Sequence, residues 1–157
     1  TEVFYCKTVK CKINHILLLL FTLAACNKDN TTPTTSSLNR NWKLIKYYNL
    51  THGTSESEPV NISRSIIIEI SDNGIMGNMN GHTVTNTVGR AYELLQYNKM
   101  KILHFGGTKI GESNWGCKFW GCKFWGAIHA ASTYERQRDK LYIYFKGDAE
   151  KMEFKQQ

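Results

Sequence analysis

From residue 38 onward, apolar and polar positions change in short runs broken by glycine, asparagine and aspartate. That is the pattern of strands rather than helices. Trp42-Lys43-Leu44-Ile45-Lys46-Tyr47-Tyr48 alternates imperfectly and reads as a first strand, and His52 to Pro59 reads as a polar loop. Ser65 to Ser71, with Ile66, Ile67, Ile68 and Ile70, is a β-branched run suited to a central strand. Asp72-Asn73-Gly74 is a turn into Ile75 to Met79, and Asn80-Gly81 carries a hairpin-turn signal. Thr83 to Val88 is β-permissive. Ala91 to Tyr97 and Lys99 to Phe105 flank Asn98, and Gly106-Gly107 breaks the run. Leu141 to Phe145, a turn at Gly147-Asp148 and Met152 to Phe154 close the chain. The spacing predicts a mainly β protein, an antiparallel sandwich or barrel.

One stretch departs from this rule. Between about Asn114 and Ser132 the best period is helical, with Trp120, Phe124, Ile128 and Ala131 on one apolar face. The spacing predicts one helix packed across the sheet or plugging it. The same stretch holds a direct repeat, Trp115-Gly116-Cys117-Lys118-Phe119 followed by Trp120-Gly121-Cys122-Lys123-Phe124. Five residues fit neither the helical nor the strand period, so the second copy belongs to the helix and the first reads as an inserted duplicate.

Ahead of the β pattern lies an apolar run, Ile16 to Ala25 with Thr22 in it, too short for a helix that must span about 20 apolar residues to cross a bilayer. Lys7, Lys10 and Lys12 precede it. A basic start, a short apolar core and small residues at its end describe a secretory leader. Leu23-Ala24-Ala25-Cys26 resembles the lipobox of bacterial lipoproteins, which implies that residues 1–25 are removed and that Cys26 is lipidated. Residues 26–37, rich in Thr, Ser and Asn, then form a flexible tether, and residues 38–157 form the domain. Asn27, where an Asp would favour inner-membrane retention, points to the outer membrane. Lys28-Asp29 resembles a surface-export signal, so periplasmic face and cell surface both stay open.

Charge narrows the partners. The chain carries 20 Lys plus Arg against 13 Asp plus Glu, a formal +7, and loss of Lys7, Lys10, Lys12 and Glu2 with the leader lowers it by two. The excess is spread out and forms no block, so a nucleic-acid partner is not expected. The expected partners are the membrane, through lipid on Cys26, and an envelope protein or cell-wall component.

No residue set identifies a reaction, and neither a cofactor nor a metal is expected. His82, Asp72 and Ser71 or Ser113 make a triad on paper without a nucleophile-elbow motif. Glu69, Glu93 and Glu112 read as solvated strand positions. Gly106-Gly107-Thr108-Lys109 falls short of a phosphate loop. Cys117 and Cys122 with His104 and His129 lack zinc-type spacing, and five-residue helical spacing leaves both cysteines as free thiols. The duplicated segment offers Trp115, Phe119 and Trp120 as an exposed aromatic patch for a membrane or partner. Tyr92, Tyr97, Phe105, Tyr142 and Tyr144 are expected to crowd the interior. Should a cavity remain there, a lipocalin-like binder of a small apolar ligand is the alternative reading.

The body resembles the META/HslJ-like family of small envelope proteins. Leu38-Asn39-Arg40-Asn41-Trp42-Lys43-Leu44 is similar to its opening Leu-x-Gly-x-Trp-x-Leu, one residue wider and without the glycine. Asn86, Gly89 and Tyr92 are similar to its Gly-Cys-Asn, Gly and Tyr positions, Gly107-Thr108 to its later Thr, and Ile128 to Tyr144 to its helix and following strand pair. Cysteines before Asn86 and after Thr108 are lacking here. The resemblance implies a small cracked β-barrel with one helix packed on it and transfers no catalytic residue.

Overall fold

A computed structural model of the chain describes residues 38–108, 110 and 121–157, with backbone alone at 90 and 105. Nine strands and one helix lie among these residues: β1 (Arg40–Asn49), β2 (Thr54–Ser57), β3 (Ile67–Asp72), β4 (Met76–His82), β5 (Thr87–Leu95), β6 (Lys99–Gly107), α1 (Gly121–His129), β7 (Ala131–Gln137), β8 (Lys140–Phe145) and β9 (Glu150–Gln156). All pairings are antiparallel, in the order β2-β1-β3-β4-β5-β6-β7-β8-β9, and β1 pairs with β9 to close the sheet. Eight strands therefore form an up-and-down barrel, with β2 as an outrigger.

β1 explains both the closure and the outrigger. One of its edges pairs with β9 from Trp42 to Asn49. The other meets β3 from Arg40 to Lys43 and β2 from Lys46 to Asn49. Trp42, Leu44 and Tyr47 are buried, an odd step that strict alternation forbids. A register shift at Ile45 absorbs it. The imperfect alternation of the sequence is this bulge.

The interior is filled by large side chains. Trp42, Tyr47, Tyr92, Phe124, Phe145 and Phe154 are fully buried, with Ile68, Met79 and Ile143 among them. An eight-stranded barrel is just wide enough for side chains to fill. Trp42 donates its indole N–H to the Leu38 carbonyl at 2.9 Å, which seats Leu38 in the core. Of the aromatics expected inside, Tyr92 is there, fully buried. Tyr97 is 87% exposed at a hairpin tip, Tyr142 and Tyr144 alternate with buried Leu141, Ile143 and Phe145 on the outer wall, and the Phe105 side chain lies outside the described residues.

The helix ends earlier than its sequence period suggested. α1 stops at His129, and Ala131, placed on the helix face from sequence, starts β7. Phe124, Ala127 and Ile128 turn into the core. Lys123 reaches Glu56 on β2 at 3.0 Å and stands 4.4 Å from the centre of the buried Tyr47 ring. The helix thus caps the upper rim, where β2, the ends of β6 and β8 and the start of β7 meet. Below it the wall is thin, since β6 and β7 pair in register at Lys99 and Thr133 alone.

Three other expectations need correction. The polar stretch expected as a loop contains β2, formed because the upper edge of β1 is left unpaired by β3. Asn80-Gly81 is not a turn but lies inside β4, where a β-carbon on Gly81 would run into the Ile67 carbonyl oxygen. Gly106-Gly107 likewise continues β6 to its end. The true β4–β5 turn is Thr83 to Asn86, closed by Thr83 N–H to Asn86 O at 2.7 Å.

Candidate interaction surface

Strand register builds one chemically distinct wall on the outside of β1, β9, β8 and β7. Tyr48 stands opposite Lys151, which stands opposite Tyr144, which stands opposite Thr133. The next outward row is Lys46, Glu153, Tyr142 and Glu135, and the third is Lys43, Lys155, Lys140 and Gln137. Neighbouring strands lie about 4.8 Å apart, so side chains along each row touch.

Glu153 is the anchor of this wall. Its side chain is almost fully buried, yet it accepts from Lys140 Nζ at 2.6 Å and from the Tyr48 hydroxyl at 2.6 Å. Burial pushes its pKa up, but these two donors outweigh it and leave the carboxyl below its ordinary value. The same bond to Glu153, helped by burial, lifts the Tyr48 hydroxyl to about 12. Tyr144 is also raised to about 12, first by burial and then by donating to Glu135 at 3.0 Å.

Lys151 occupies the centre of the wall. Its ammonium lies 4.3 Å from the Tyr142 ring centre, 5.1 Å from Tyr48 and 5.4 Å from Tyr144. Lys46 lies 5.6 Å from the Tyr48 ring. Such contacts are worth about 0.5–1 kcal/mol each where exposed. Lys43 pairs with Glu58 at 2.7 Å, while Lys46, Lys151 and Lys155 form no ion pair within 4 Å among the described residues. In the third row Lys43 and Lys140, which flank Lys155, are each held by a carboxylate, Glu58 and Glu153. The wall thus interleaves lysines, tyrosines and the carboxylates of Glu153 and Glu135 on one outer surface.

A second polar node ties down the upper rim. The Asn86 side chain, buried, accepts from Ile110 N–H at 2.7 Å and from Thr108 Oγ1 at 3.0 Å, and donates to Ile110 O at 2.9 Å. It thus acts as an extra strand residue that fastens the chain leaving β6. Asn86 and Thr108, singled out separately in the sequence, are bonded here. The node is fully engaged with the chain's own groups.

The other sequence candidates are not assembled into a site. Asp72 lies at the lower end of β3 and His82 at the upper end of β4, five register positions apart, about 16 Å along the strand. Asp72 instead accepts from the Tyr92 hydroxyl at 2.6 Å, and burial pushes the Tyr92 pKa far up. Glu69 is exposed on β3, and Glu93 faces Lys101 across β5 and β6. Cys122 is not the free thiol that helical spacing suggested: it is closed in a disulfide, which also removes its sulfur from any ligand set. Every other cysteine, Cys26 included, lies outside the described residues, as do Trp115, Phe119, Trp120, Lys109, Glu112 and Ser113. Cys122 lies in the first turn of the described helix, Gly121–His129, and Cys117, on which the spacing argument also rested, lies outside the described residues.

No family model matches the chain, and no curated protein matches it. Two solved structures are similar in fold. The NMR structure of a protein from Burkholderia xenovorans superposes with a TM-score of 0.61 at 18% identity, covering 85% of this chain and 93% of that one. The crystal structure of a DUF4847 family protein from Bacteroides vulgatus superposes with a TM-score of 0.54 at 16% identity, covering 75% of this chain and 92% of that one. At these identities the likeness is one of fold.

Proposed function

We propose that this chain is a lipid-anchored envelope protein of META/HslJ-like type, an interaction or envelope-maintenance module without catalytic activity. In this reading residues 1–25 are the leader, Cys26 carries the lipid that holds the protein in the outer membrane, and the barrel is a rigid scaffold. The observation that carries the reading is the division of chemistry across the barrel wall. Large side chains fill the inside, and lysines, tyrosines and carboxylates stand together outside on β1, β9 and β8. A lipocalin-like carrier needs the reverse, an open apolar interior.

Three measurements test this. Cys26→Ser should move the protein out of the membrane fraction, since two or more acyl chains supply about 0.8 kcal/mol per buried methylene. A photo-crosslinker at Tyr142 should trap an envelope partner in cells, while one at Asn78, exposed on β4, should not. Stoichiometric uptake of a fatty acid by the folded barrel would replace the scaffold reading with the carrier one.

A further inference from the structure

The lower rim carries an apolar cluster that the packed interior does not use. Ile75 is 58% exposed, Met76 51%, Leu95 43% and Tyr97 87%. They sit at the tips of two adjacent hairpins, β3–β4 and β5–β6. The tips are joined where Leu94 N–H donates to Ile75 O at 2.6 Å.

Both tips hold these side chains rigidly outward. At the first, Asn73 Oδ1 accepts from the backbone N–H of Ile75 at 3.0 Å and of Met76 at 2.9 Å, while Gly74 takes φ +87°. At the second, Tyr97 and Asn98 have φ of 61° and 55°, a two-residue turn with both centres left-handed. Such turns favour Asn-Gly. A bulky residue there is strained, and a ring so exposed gains little packing in return. The strain goes unrepaid within the barrel and points to a contact outside it.

Charge and chain path say what that contact is. Lys99 stands opposite Leu95, and Lys101 opposite Glu93, on the same outer surface. Arg138 lies in the β7–β8 turn at the same rim. The carboxylates of that end are Asp72, held by Tyr92 and Gly74, with Glu93 beside Lys101 and Asp139 in the turn. Asn39 is locked onto the β3–β4 tip, donating to Asp72 O at 3.0 Å and accepting from Asp72 N at 2.6 Å. Asn39, thirteen residues after Cys26 in the sequence, thus lies beside the apolar tips. Twelve residues, 26–37, separate the domain from the expected anchor, and twelve residues span at most about 40 Å.

We propose that Ile75, Met76, Leu95 and Tyr97 form a foot that dips into the headgroup layer of an anionic bilayer, with Lys99, Lys101 and Arg138 meeting its phosphates. The choice of a bilayer as occupant rests on the lipid-anchor reading of Cys26. Tyrosine at such an edge has an apolar ring and a polar tip, the form that membrane interfaces select.

The barrel closes within residues 40–156, so the chain from Asn27 onward, without leader or lipid, carries the whole fold. This protein should float with vesicles of phosphatidylglycerol and phosphatidylethanolamine at low salt and bind neutral phosphatidylcholine vesicles at least tenfold less. Tyr97→Asn should raise the thermal midpoint, because asparagine tolerates the left-handed turn, and yet weaken vesicle binding several-fold. Ile75→Ser with Leu95→Ser should weaken it at least tenfold while leaving the circular dichroism spectrum unchanged. Vesicle binding within twofold of the parent in both variants would overturn the foot. So would tips that crosslink to a protein in cells without binding vesicles. The anchor is judged separately: Cys26→Ser remaining in the membrane fraction at high salt would remove the lipid reading, whatever the vesicles show.

Discussion

Trp125 lies against Gly107 so closely that a β-carbon on the glycine would stand 2.5 Å from the indole ring and 2.5 Å from the Thr87 carbonyl oxygen. Helix and strand end are fitted to each other through the missing side chain. Gly107→Ala must push the helix off the rim or bend β5 away. A loss of about 1–3 kcal/mol is expected, as for other overpacked sites. Gly106→Ala, whose nearest neighbour would be 3.9 Å away, is the control and should be close to neutral. Thermal unfolding of the two variants side by side decides it.

Asn86 gives a second prediction. Replacement by alanine removes three hydrogen bonds that tie the exposed Ile110 and Thr108 to the buried Asn86 side chain. Each of these bonds contributes about 0.5–1.5 kcal/mol. Asn86→Ala should therefore lower the midpoint markedly and speed hydrogen exchange at Ile110. Asn86→Asp keeps the acceptor and should recover part of the loss. Equal behaviour of the two variants would refute the node.

The wall predicts how stability follows pH. Glu153 has a folded pKa below its ordinary 4.5. Its contribution is present above pH 4.5 and is lost as pH falls through the lower folded value. Tyr48 and Tyr144 are raised from 10.0 to about 12, so their contributions hold below pH 10 and are lost as pH rises towards 12. A plateau of thermal midpoint with an acid and an alkaline limb should result. Tyr48→Phe with Tyr144→Phe should flatten the alkaline limb, leaving the part due to buried Tyr47 and Tyr92. An alkaline limb of unchanged slope would count against these assignments.

Cys122 supplies a chemical check. Alkylation of the denatured, unreduced protein should leave Cys122 unmodified, and prior reduction should make it reactive. Peptide mass spectrometry reads both states and names the partner sulfur.

The strands legible in the sequence are those whose two faces differ or whose run is strongly β-branched. Ile66 to Ile70 announced β3, and the helical spacing of Phe124 and Ile128 announced α1. β8 was visible as a strand but not as to its faces, because Leu141, Tyr142, Ile143, Tyr144 and Phe145 are apolar at both parities. Only pairing with β9 turns the tyrosines outward. β2, Thr-Ser-Glu-Ser, has no apolar residue to announce it and exists because β1 offers an edge. Gly81 misled for a physical reason, since asparagine-glycine suits a turn and close backbone approach demands the same absent side chain. The wall was illegible in the sequence, since Tyr48 and Glu153 stand 105 residues apart.

The order of the strands also sets how the barrel must come together. From β3 to β9 nearly every neighbour is the next element along the chain, so those pairs can zip up through short loops. The β1–β9 edge alone joins distant parts of the chain, and its loop-closure entropy falls due before any contact repays it. Tyr48, Glu153 and Lys140 lie across or beside that last edge, as a clasp on a strip already rolled. Weakening the clasp should speed opening of the barrel far more than it slows formation of the hairpins.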